Sequence, residues 1–254
     1  MKIAITGSRG FIGSHLKRKL EPEHEIIEWD KDIGKDIKDF RIGEAQLVIH
    51  LAAIADVRRS IQYPEEYWEN NVVPTTEIQR QCNNLNIPLL FASSSCVHNW
   101  WLSPYGTTKK VNEETAYAGR EQIALRFTTV YGEGARESML IGKLARNEAK
   151  YLTDHIRDFI HVDDVVNAIV TIMDKTENLH EYPQAPLKSS YNIGTGRGVK
   201  VSDLGEIFDL NLPIRDGNSC EAVNNTADNQ DLLDLGWKPT MKVEDYLALK
   251  IIPH

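Results

Sequence analysis

The sequence predicts a doubly wound α/β fold built on a parallel sheet. Short apolar segments alternate with segments of helical periodicity along the first half of the chain. A glycine-rich turn joins the first apolar segment to the first helical segment. Strands that alternate with helices pair in parallel, because each helix returns the chain to the same edge of the sheet. We therefore expect one sheet with helices on both faces.

The predicted elements follow each other at short intervals. Lys2–Thr6 is an apolar run that ends at a glycine, which is typical of a buried strand, and the amphipathic segment Phe11–Leu20 predicts the first helix. The other predicted core elements are strands at His24–Trp29, Gln46–Leu51, Pro88–Ser93 and Gln122–Phe127, and helices at Pro64–Leu85 and Tyr105–Ala118.

The pattern is less regular after about Gly132. Asp174–Lys188 contains two prolines and predicts a loop rather than a linker between independent domains. Val162–Met173 and Tyr191–Gly194 predict a further helix and strand that pack back on the core. We expect a nucleotide-binding core over residues 1–150 and a small C-terminal lobe over residues 151–254, partly interleaved with the core.

Composition excludes several classes of protein. The 254 residues, 41% of them hydrophobic, suffice for a large core, and the net charge of −8 disfavours nucleic-acid binding. Cys82, Cys96 and Cys220 have irregular spacing, so we expect no disulfide framework, no metal site and a reducing, cytoplasmic setting. We also expect neither a membrane span nor a signal peptide, because apolar runs are short and Met1 leads directly into a strand.

Three glycines follow the first predicted strand. Gly7, Gly10 and Gly13 stand where backbone N–H groups at a helix start approach a pyrophosphate, as in a Rossmann nucleotide-binding fold. Asp30 ends the second strand, where a carboxylate accepts hydrogen bonds from the adenosine ribose and repels a 2′-phosphate, which favours NAD over NADP. The alternatives are a tight turn without a ligand and a solvated loop acid.

A tyrosine and a lysine stand four residues apart in SPYGTTK. On a helix, Tyr105 and Lys109 share one face, and the lysine ammonium favours the phenolate that general base catalysis requires. The segment FASSSCV, residues 91–97, places a hydroxyl cluster where the sheet should end. A serine there can hydrogen-bond a reacting oxygen. The alternatives are a chance helical pair and serines that satisfy a turn.

The chain resembles the extended short-chain dehydrogenases/reductases, specifically the NAD-dependent epimerase/dehydratase group that acts on nucleotide sugars. The resemblance covers nearly the whole chain and is carried by nine motifs in the family's order. They are TGSRGFIG, IHLAAIA, YWENNVVPT, FASSSCV, SPYGTTKKVNE, LRFTTVYGEG, RDFIHVDDVVNA, YNIGTG and LGWKP.

The resemblance implies a role for each matching residue. Ser94, Tyr105 and Lys109 match the catalytic trio, with Lys109 orienting both Tyr105 and the nicotinamide ribose. The implied cofactor contacts are Gly7, Arg9, Gly10, Phe11 and Ile12 at the turn, Asp30 at the ribose, Asp36 and Ile37 at the adenine, Leu51, Ala52 and Ala53 beside the phosphates, Asn71, Tyr105 and Lys109. The implied substrate contacts are Ser94, Ser95, Cys96, Thr129 and Arg157, and the C-terminal lobe is the substrate-binding lobe.

Some positions depart from the family pattern. His98 and Asn99 replace the usual Tyr-Gly, and the loop before Tyr105 is short. Thr129 replaces an asparagine. Arg157 matches an arginine that meets the substrate pyrophosphate, and the alternative is a surface salt bridge with Asp158 or Asp163.

Residues after Ser94 bear on the reaction. Cys96 resembles the proton-transfer cysteine of the 3,5-epimerase/reductase branch, but no histidine follows Tyr131 and Gly132 in GEGARESMLIGK. The alternative for Cys96 is a small buried hydrophobe. The 4,6-dehydratases carry an Asp-Glu pair where this chain has Ser95 and Cys96, which disfavours dehydration.

We therefore expect an NAD-dependent nucleotide-sugar epimerase, in which a sugar carbinol is transiently oxidised and the hydride returns. The alternatives are an NAD(P)-dependent nucleotide-sugar reductase, decarboxylase or dehydratase of the same family. A non-catalytic NAD-binding protein is the alternative from another class. The resemblance also implies a homodimer through the helices that begin near Pro64 and Tyr105.

Overall fold

A computed structural model describes residues 1–117, 121–177 and 187–251. Its strands are β1 Lys2–Thr6, β2 Glu25–Trp29, β3 Leu47–His50, β4 Leu89–Ser94, β5 Gln122–Phe127, β6 Thr129–Tyr131, β7 Leu152–Thr153, β8 Ile156–His161, β9 Ser190–Ile193, β10 Gly198–Lys200 and β11 Ile214–Arg215. Its α-helices are α1 Phe11–Leu20, α2 Val57–Gln62, α3 Pro64–Tyr67, α4 Val73–Leu85, α5 Pro104–Glu114, α6 Leu140–Ala145, α7 Val162–Glu177, α8 Asp203–Ile207, α9 Gln230–Asp234 and α10 Val243–Lys250.

Six parallel strands form the main sheet in the order β2-β1-β3-β4-β5-β9. The order reverses between β1 and β3, which is the switch point where open α/β sheets bind ligands at their carboxyl edge. Helices α1 and α7 pack against each other on one face. The predicted doubly wound parallel fold is confirmed.

The main sheet is buried on both faces. One apolar cluster joins β1, β3, β4 and β5 to α1 and α7, and a second joins the other face of the sheet to Phe40 and to Ile78 and Cys82 of α4. Strands covered on both sides have continuous apolar runs, which explains the runs LVI in β3 and IAL in β5.

The C-terminal part contributes to both the main sheet and smaller sheets. β9 pairs with β5, whereas β10, β8 and β6 form a separate three-stranded sheet and β11 pairs with β7. The fully buried carboxylate of Asp158 accepts hydrogen bonds from the backbone N–H groups of Thr195, Gly196 and Ala227. This carboxylate therefore joins β8 to the segment after β9 and to the segment before α9.

Several predicted elements have the predicted bounds. β1, α1 and β5 agree with the prediction at both ends, and β2, β3, β4 and β9 lie within a residue of it. The predicted helix Pro64–Leu85 is instead α3, one π-helical turn over Trp68–Val72, and α4. The change from α to π spacing rotates the chain between α3 and α4, and sequence periodicity does not show so short an interruption.

Two other predicted bounds were wrong. The helix predicted over Tyr105–Ala118 ends at Glu114, and residue 118 lies outside the described residues. The predicted loop Asp174–Lys188 begins inside α7, which continues to Glu177, and residues 178–186 lie outside the described residues. The buried face of α7 extends beyond the predicted end of the helix. Met173 and Thr176 are both buried, and they hold the last turn of α7 against the core. No described helix is long and apolar enough to cross a membrane.

Candidate active site

The glycine-rich turn connects β1 to α1 at the carboxyl edge of the sheet. Gly7 has φ +71°, and a Cβ on it would lie 2.8 Å from the backbone nitrogen of Ala52, so other side chains do not fit. A Cβ on Gly13 would lie 2.0 Å from the Gly7 carbonyl oxygen. The turn closes with a hydrogen bond of 3.0 Å from the Gly10 N–H to the Gly7 carbonyl. The first turn of α1 carries no acidic residue, so its N–H groups present an uncompensated positive end.

Asp30 lies beside this turn and is buried. One carboxylate oxygen accepts a hydrogen bond of 2.9 Å from the Arg9 N–H, and the other accepts one of 3.0 Å from the Asp32 N–H. Each oxygen keeps a lone pair for a further donor. The Arg9 guanidinium turns to Glu28, at 2.8 Å. The turn, the helix start and the carboxylate thus fit the pyrophosphate and ribose of a dinucleotide.

The other predicted cofactor residues surround the same edge of the sheet. Asn71 is buried and its amide exchanges two hydrogen bonds with the backbone of Ile54, which fixes the segment after β3 where Leu51, Ala52 and Ala53 lie. Asp36 caps a short turn by accepting from the Lys38 N–H. Three apolar residues are partly buried against the main sheet, and these are Phe11, Ile12 and Ile37.

The start of α5 positions Tyr105. The Ser103 hydroxyl accepts a hydrogen bond of 3.1 Å from the Gly106 N–H, and Pro104 occupies the first helical position, which needs no N–H donor. This cap orients Tyr105 and Lys109 inward, where both are buried. The predicted common face of the two residues is thus a buried face.

Ser94 and Tyr105 are both buried, and the Ser94 hydroxyl acts on the pKa of the Tyr105 phenol. Ser94 ends β4, and its hydroxyl also accepts a hydrogen bond of 3.1 Å from the Cys96 N–H. Burial raises the pKa of Tyr105 above its ordinary value, whereas the Ser94 hydroxyl and the charge of Arg136 lower it. The phenol is therefore protonated at neutral pH unless a further positive charge approaches it.

The Lys109 ammonium lies 5.9 Å from the centre of the Tyr105 ring. It donates a hydrogen bond of 2.9 Å to the Ala92 carbonyl. Burial lowers the pKa of Lys109 to about 8, and the carboxylate of Glu113 acts in the opposite direction. Lys109 thus titrates close to neutral pH, unlike an exposed lysine.

Arg157 is held by acceptors other than those expected. Its guanidinium forms a salt bridge of 2.9 Å with Glu221 and donates to the Ala222 carbonyl at 2.8 Å. The expected alternative, a salt bridge with Asp158 or Asp163, is wrong, because the Asp158 carboxylate is turned to backbone N–H groups on the far side of β8.

Glu221 binds two arginines. Its second oxygen accepts a hydrogen bond of 2.6 Å from Arg58, so the carboxylate bridges Arg58 and Arg157. The charges of Arg157 and Glu221 act on the thiol of half-buried Cys96: burial and Glu221 raise its pKa, whereas Arg157 lowers it. The cluster therefore lies beside the predicted substrate residues.

The remaining predicted substrate residues line different walls. Ser95, with His98 and Asn99, faces a polar cavity of about 110 Å³, whereas the Thr129 hydroxyl accepts a hydrogen bond of 3.1 Å from Asn225. The cavity is completed by Arg126, Thr128, Asn192, Asn224, Asn225, Thr226 and Ala227. A separate cavity of about 170 Å³, between β10 and the segment before α10, contains none of the predicted site residues.

The sequence did not point to four charged or titratable residues of this region, which are Arg58, Arg136, His155 and Glu221. They lie on loops or short elements far apart in the chain, and no local spacing connects them. The excess of charged residues in 215–221 was the only available signal, and it is equally typical of a solvated loop.

Comparison with known proteins agrees with this geometry. Residues 3–194 match the model of the NAD dependent epimerase/dehydratase family. The chain belongs to this family. Family membership confirms the predicted resemblance, and NAD, which the family uses, fits the glycine turn and Asp30. The chain is accordingly a member of a family of NAD-dependent enzymes that act on nucleotide sugars.

Two curated relatives span nearly the whole chain. Protein CapI of Staphylococcus aureus is 30% identical over an alignment of 322 positions, which takes in 96% of either chain. The putative UDP-glucose 4-epimerase of Methanocaldococcus jannaschii is 28% identical and covers 96% of this chain and 95% of the relative. Because the first alignment is longer than the 254 residues here, it opens gaps inside this chain.

A solved structure shares the fold of this family member. MoeE5 in complex with UDP-glucose and NAD superposes with a TM-score of 0.83 and 28% identity, over 98% of this chain and 97% of MoeE5. The same protein with UDP-glucuronic acid and NAD gives a TM-score of 0.80.

Proposed function

We propose that the chain is an NAD-dependent nucleotide-sugar epimerase that oxidises a sugar carbinol transiently and returns the hydride to the other face. The observation that carries the proposal is the joint burial of Ser94, Tyr105 and Lys109 where β4 ends, with the Lys109 ammonium 5.9 Å from the centre of the tyrosine ring. NAD binding alone requires none of these three polar groups to be buried together, and burying them without a ligand is costly.

Each of the three residues has a distinct task in this proposal. The Ser94 hydroxyl hydrogen-bonds the reacting oxygen of the sugar, and Tyr105 removes the carbinol proton and later returns it. Lys109 supplies the positive charge that favours the phenolate and binds the nicotinamide ribose. Bound NAD would supply the acceptor for the hydride and give the hydride back, so no external reductant is consumed.

The cofactor contacts are proposed for the residues named above. The N–H groups of Phe11 and Ile12, at the start of α1, face the pyrophosphate, and Asp30 accepts from the adenosine ribose. Arg9 and Gly10 shape the turn, because their N–H groups donate to Asp30 and to the Gly7 carbonyl. The engagement of Arg9 by Glu28 supports a preference for NAD, because this guanidinium is then turned away from the place of a 2′-phosphate.

The substrate is proposed to be a nucleoside diphosphate hexose. MoeE5 is solved with UDP-glucose and with UDP-glucuronic acid, and the relative from Methanocaldococcus jannaschii is named a putative UDP-glucose 4-epimerase. Arg58 and Arg157 lie on the substrate side, and a planar guanidinium is suited to a diphosphate. In the proposed complex the diphosphate shares these arginines with Glu221.

A substrate panel tests the proposal. The purified protein is incubated with UDP-, GDP- and dTDP-hexoses, the sugars are separated, and NADH is followed by its absorbance. Interconversion of one epimer pair without net NADH supports the epimerase, whereas stoichiometric NADH indicates a dehydrogenase. Mass spectrometry of nucleotides that the purified protein retains identifies the cofactor and narrows the panel.

The alternatives give different products with the same residues. A reductase consumes reduced cofactor in stoichiometric amount, a decarboxylase releases carbon dioxide from a nucleotide hexuronate, and a dehydratase forms a keto-deoxy sugar. Ser95 and Cys96 stand where a 4,6-dehydratase needs an acid and a base, which makes dehydration the least favoured of the three. A non-catalytic NAD-binding protein would bind NAD and convert nothing in the panel.

We also propose a homodimer. Trp68, the first residue of the π-helical turn, and Val73, directly after it, are about half exposed, and Trp101 before α5 is 61% exposed. The π-helical turn and the segment before α5 both pack on α5, and exposed large apolar side chains in such neighbouring segments are typical of a protein interface. Light scattering after size exclusion distinguishes a dimer from a monomer, and Trp68→Glu should shift a dimer towards monomers.

The proposed compartment is the cytoplasm. Cys82, Cys96 and Cys220 are all free thiols. Free thiols persist in a reducing compartment, which supports the proposal. Fractionation of cells that express the protein, with a periplasmic or secreted marker as control, tests this assignment.

A further inference from the structure

Ser93, Glu113 and Arg126 form a closed polar cluster directly behind the catalytic site. The Glu113 carboxylate accepts a hydrogen bond of 2.5 Å from the Ser93 hydroxyl and two from the Arg126 guanidinium, at 2.6 and 2.9 Å. The Glu113 side chain is 8% exposed and that of Arg126 is 22% exposed. The geometry is a bidentate pair with an added hydroxyl, which engages both oxygens of the carboxylate.

The cluster joins the three elements that build the site. Glu113 lies on α5, one helical turn after Lys109, and Ser93 immediately precedes Ser94 in β4. Arg126 lies on β5, directly opposite Ser93 in the parallel register. Together with the hydrogen bond from Lys109 to Ala92, two consecutive residues before Ser94 are thus fixed to α5. The relative position of Ser94 and Tyr105 depends on these two links.

The charges of this cluster also reach Lys109. The groups that face its ammonium are Tyr105 and Glu113 on α5, the Ala92 carbonyl of β4, and His50 of β3. His50 is buried, and burial together with the charge of Lys109 lowers its pKa to about 3, so it is neutral. Glu113 is therefore the only carboxylate that acts on Lys109 among these groups, and Arg126 partly neutralises it.

A buried ion pair is weak as a stabilising device. Its desolvation offsets most of the Coulombic gain, and apolar residues of similar volume often give the same stability or more. The cluster could thus be replaced by apolar packing if stability were its sole contribution. Its position between Lys109 and Ser94 points to a different contribution.

We propose that Glu113 is a positioning residue for the reaction: it keeps Lys109 protonated, and through Ser93 it fixes Ser94 relative to Tyr105. Arg126 holds the Glu113 carboxylate in place and limits its charge. The inference rests on the proposed function for its catalytic meaning. The state of Lys109, however, can be measured without any substrate.

The direct test is the titration of Lys109 in protein saturated with NAD and labelled with ¹³C-lysine. The Lys109 resonance is assigned by its loss in Lys109→Arg. In Glu113→Gln the midpoint should fall by about one pH unit, because the counter-charge is gone. In Arg126→Gln it should rise, because Glu113 is then no longer neutralised. Midpoints that stay unchanged, or that move in the same direction in both variants, overturn the proposal.

Two further variants separate a positioning role from a structural one. Glu244→Gln makes the same change in another bidentate pair, between Glu244 and Arg197 at 2.6 and 2.9 Å, and should leave the Lys109 midpoint in place. Glu113→Asp keeps the charge and should restore the midpoint. A shift in Glu244→Gln, or no recovery in Glu113→Asp, contradicts the assignment.

The activity arm depends on a substrate from the panel above. The upper limb of the pH profile of kcat should move in the same direction as the Lys109 midpoint, with KM for the sugar changed less than kcat. If no sugar is converted while the midpoints move as expected, the proposed function fails and the electrostatic assignment stands. If conversion occurs and the midpoints do not move, the positioning role fails alone.

Discussion

Lys109 donates a hydrogen bond of 2.9 Å from its ammonium to the carbonyl of Ala92, two residues before Ser94. The contact places a buried positive charge beside the carboxyl end of β4, where the sheet ends. Lys109 is 3% exposed, and no carboxylate forms a salt bridge with it within the described parts of the chain. Burial of this charge costs free energy of folding, and the same buried position brings it to the Tyr105 ring, where the proposed reaction would use it.

Removal of that charge should stabilise the protein. Lys109→Met eliminates a charge whose burial lowers the pKa from 10.5 to about 8. This shift corresponds to about 3 kcal/mol at neutral pH, and loss of the hydrogen bond to Ala92 offsets about 1 kcal/mol. Urea unfolding at pH 7 should thus give a free energy of unfolding about 2 kcal/mol higher than wild type.

The sign of the pH dependence follows from the lowered pKa. Below pH 8 the folded protein holds a charge that the unfolded chain accommodates more easily, so the destabilisation is complete there. Between pH 8 and 10.5 the folded protein has lost this proton and the unfolded chain has not. The advantage of Lys109→Met should therefore disappear by about pH 10. An advantage that stays constant over this range contradicts the assignment.

The Tyr105 hydroxyl should be required for turnover and not for folding. Tyr105→Phe removes the proton carrier and keeps the buried ring, so kcat for the epimer pair should fall by about 10³-fold while the far-ultraviolet circular dichroism spectrum is unchanged. Tyr63→Phe is the matched control, because Tyr63 is 52% exposed. Turnover by Tyr105→Phe at the wild-type rate would remove this residue from the mechanism.

Asp30 should determine both affinity for NAD and selectivity against NADP. Asp30→Asn keeps an oxygen for one backbone N–H but loses the charge, so the Kd for NAD by calorimetry should rise about tenfold. Discrimination against NADP should fall, because the repulsion of the 2′-phosphate is removed. Asp32→Asn, at an exposed position two residues later, should change neither value. Equal effects of the two substitutions would indicate a general effect of loop charge.

Cys96 should act as a neutral thiol. Burial raises its pKa, so it is protonated near neutral pH. Cys96→Ser keeps a small polar group beside Ser94, and kcat should stay within about threefold of wild type with an unchanged pH profile. A loss of several hundredfold with a displaced pH optimum would instead assign proton transfer to the thiol.

The predicted elements show where local sequence is sufficient. β1, α1 and β5 have the predicted bounds because each is bordered by a glycine turn or polar residues and has one clear periodicity. β6, β7, β8, β10 and β11 were not predicted. They are short and are set by pairing with distant segments, as in the antiparallel register of β10 with β8. Helix α2 was also missed, because it has six residues and no apolar stripe.

The candidate site divides in the same way. The pairs that act locally, such as Tyr105 with Lys109 and the glycines of the turn, are fixed by helix and turn geometry, and sequence spacing shows them. The partner of Arg157 is different. The resemblance implied a substrate pyrophosphate, with Asp158 or Asp163 as the alternative acceptor, whereas the acceptor in the structure is Glu221, 64 positions away. Which acceptor an arginine meets depends on the loops that fold over it, and spacing does not encode this.

The sequence alone determined the glycine turn, the alternation of strands with helices, and the common helical face of Tyr105 and Lys109. These features depend on backbone geometry within one element or turn. Only the tertiary structure decided the electrostatics of the site. In the folded protein Lys109 is buried against β4, the Arg9 guanidinium pairs with Glu28, and the Glu113 carboxylate lies between Ser93 and Arg126. A pKa depends on burial and on charges that arrive from distant parts of the chain, and these exist only after the sheet has formed.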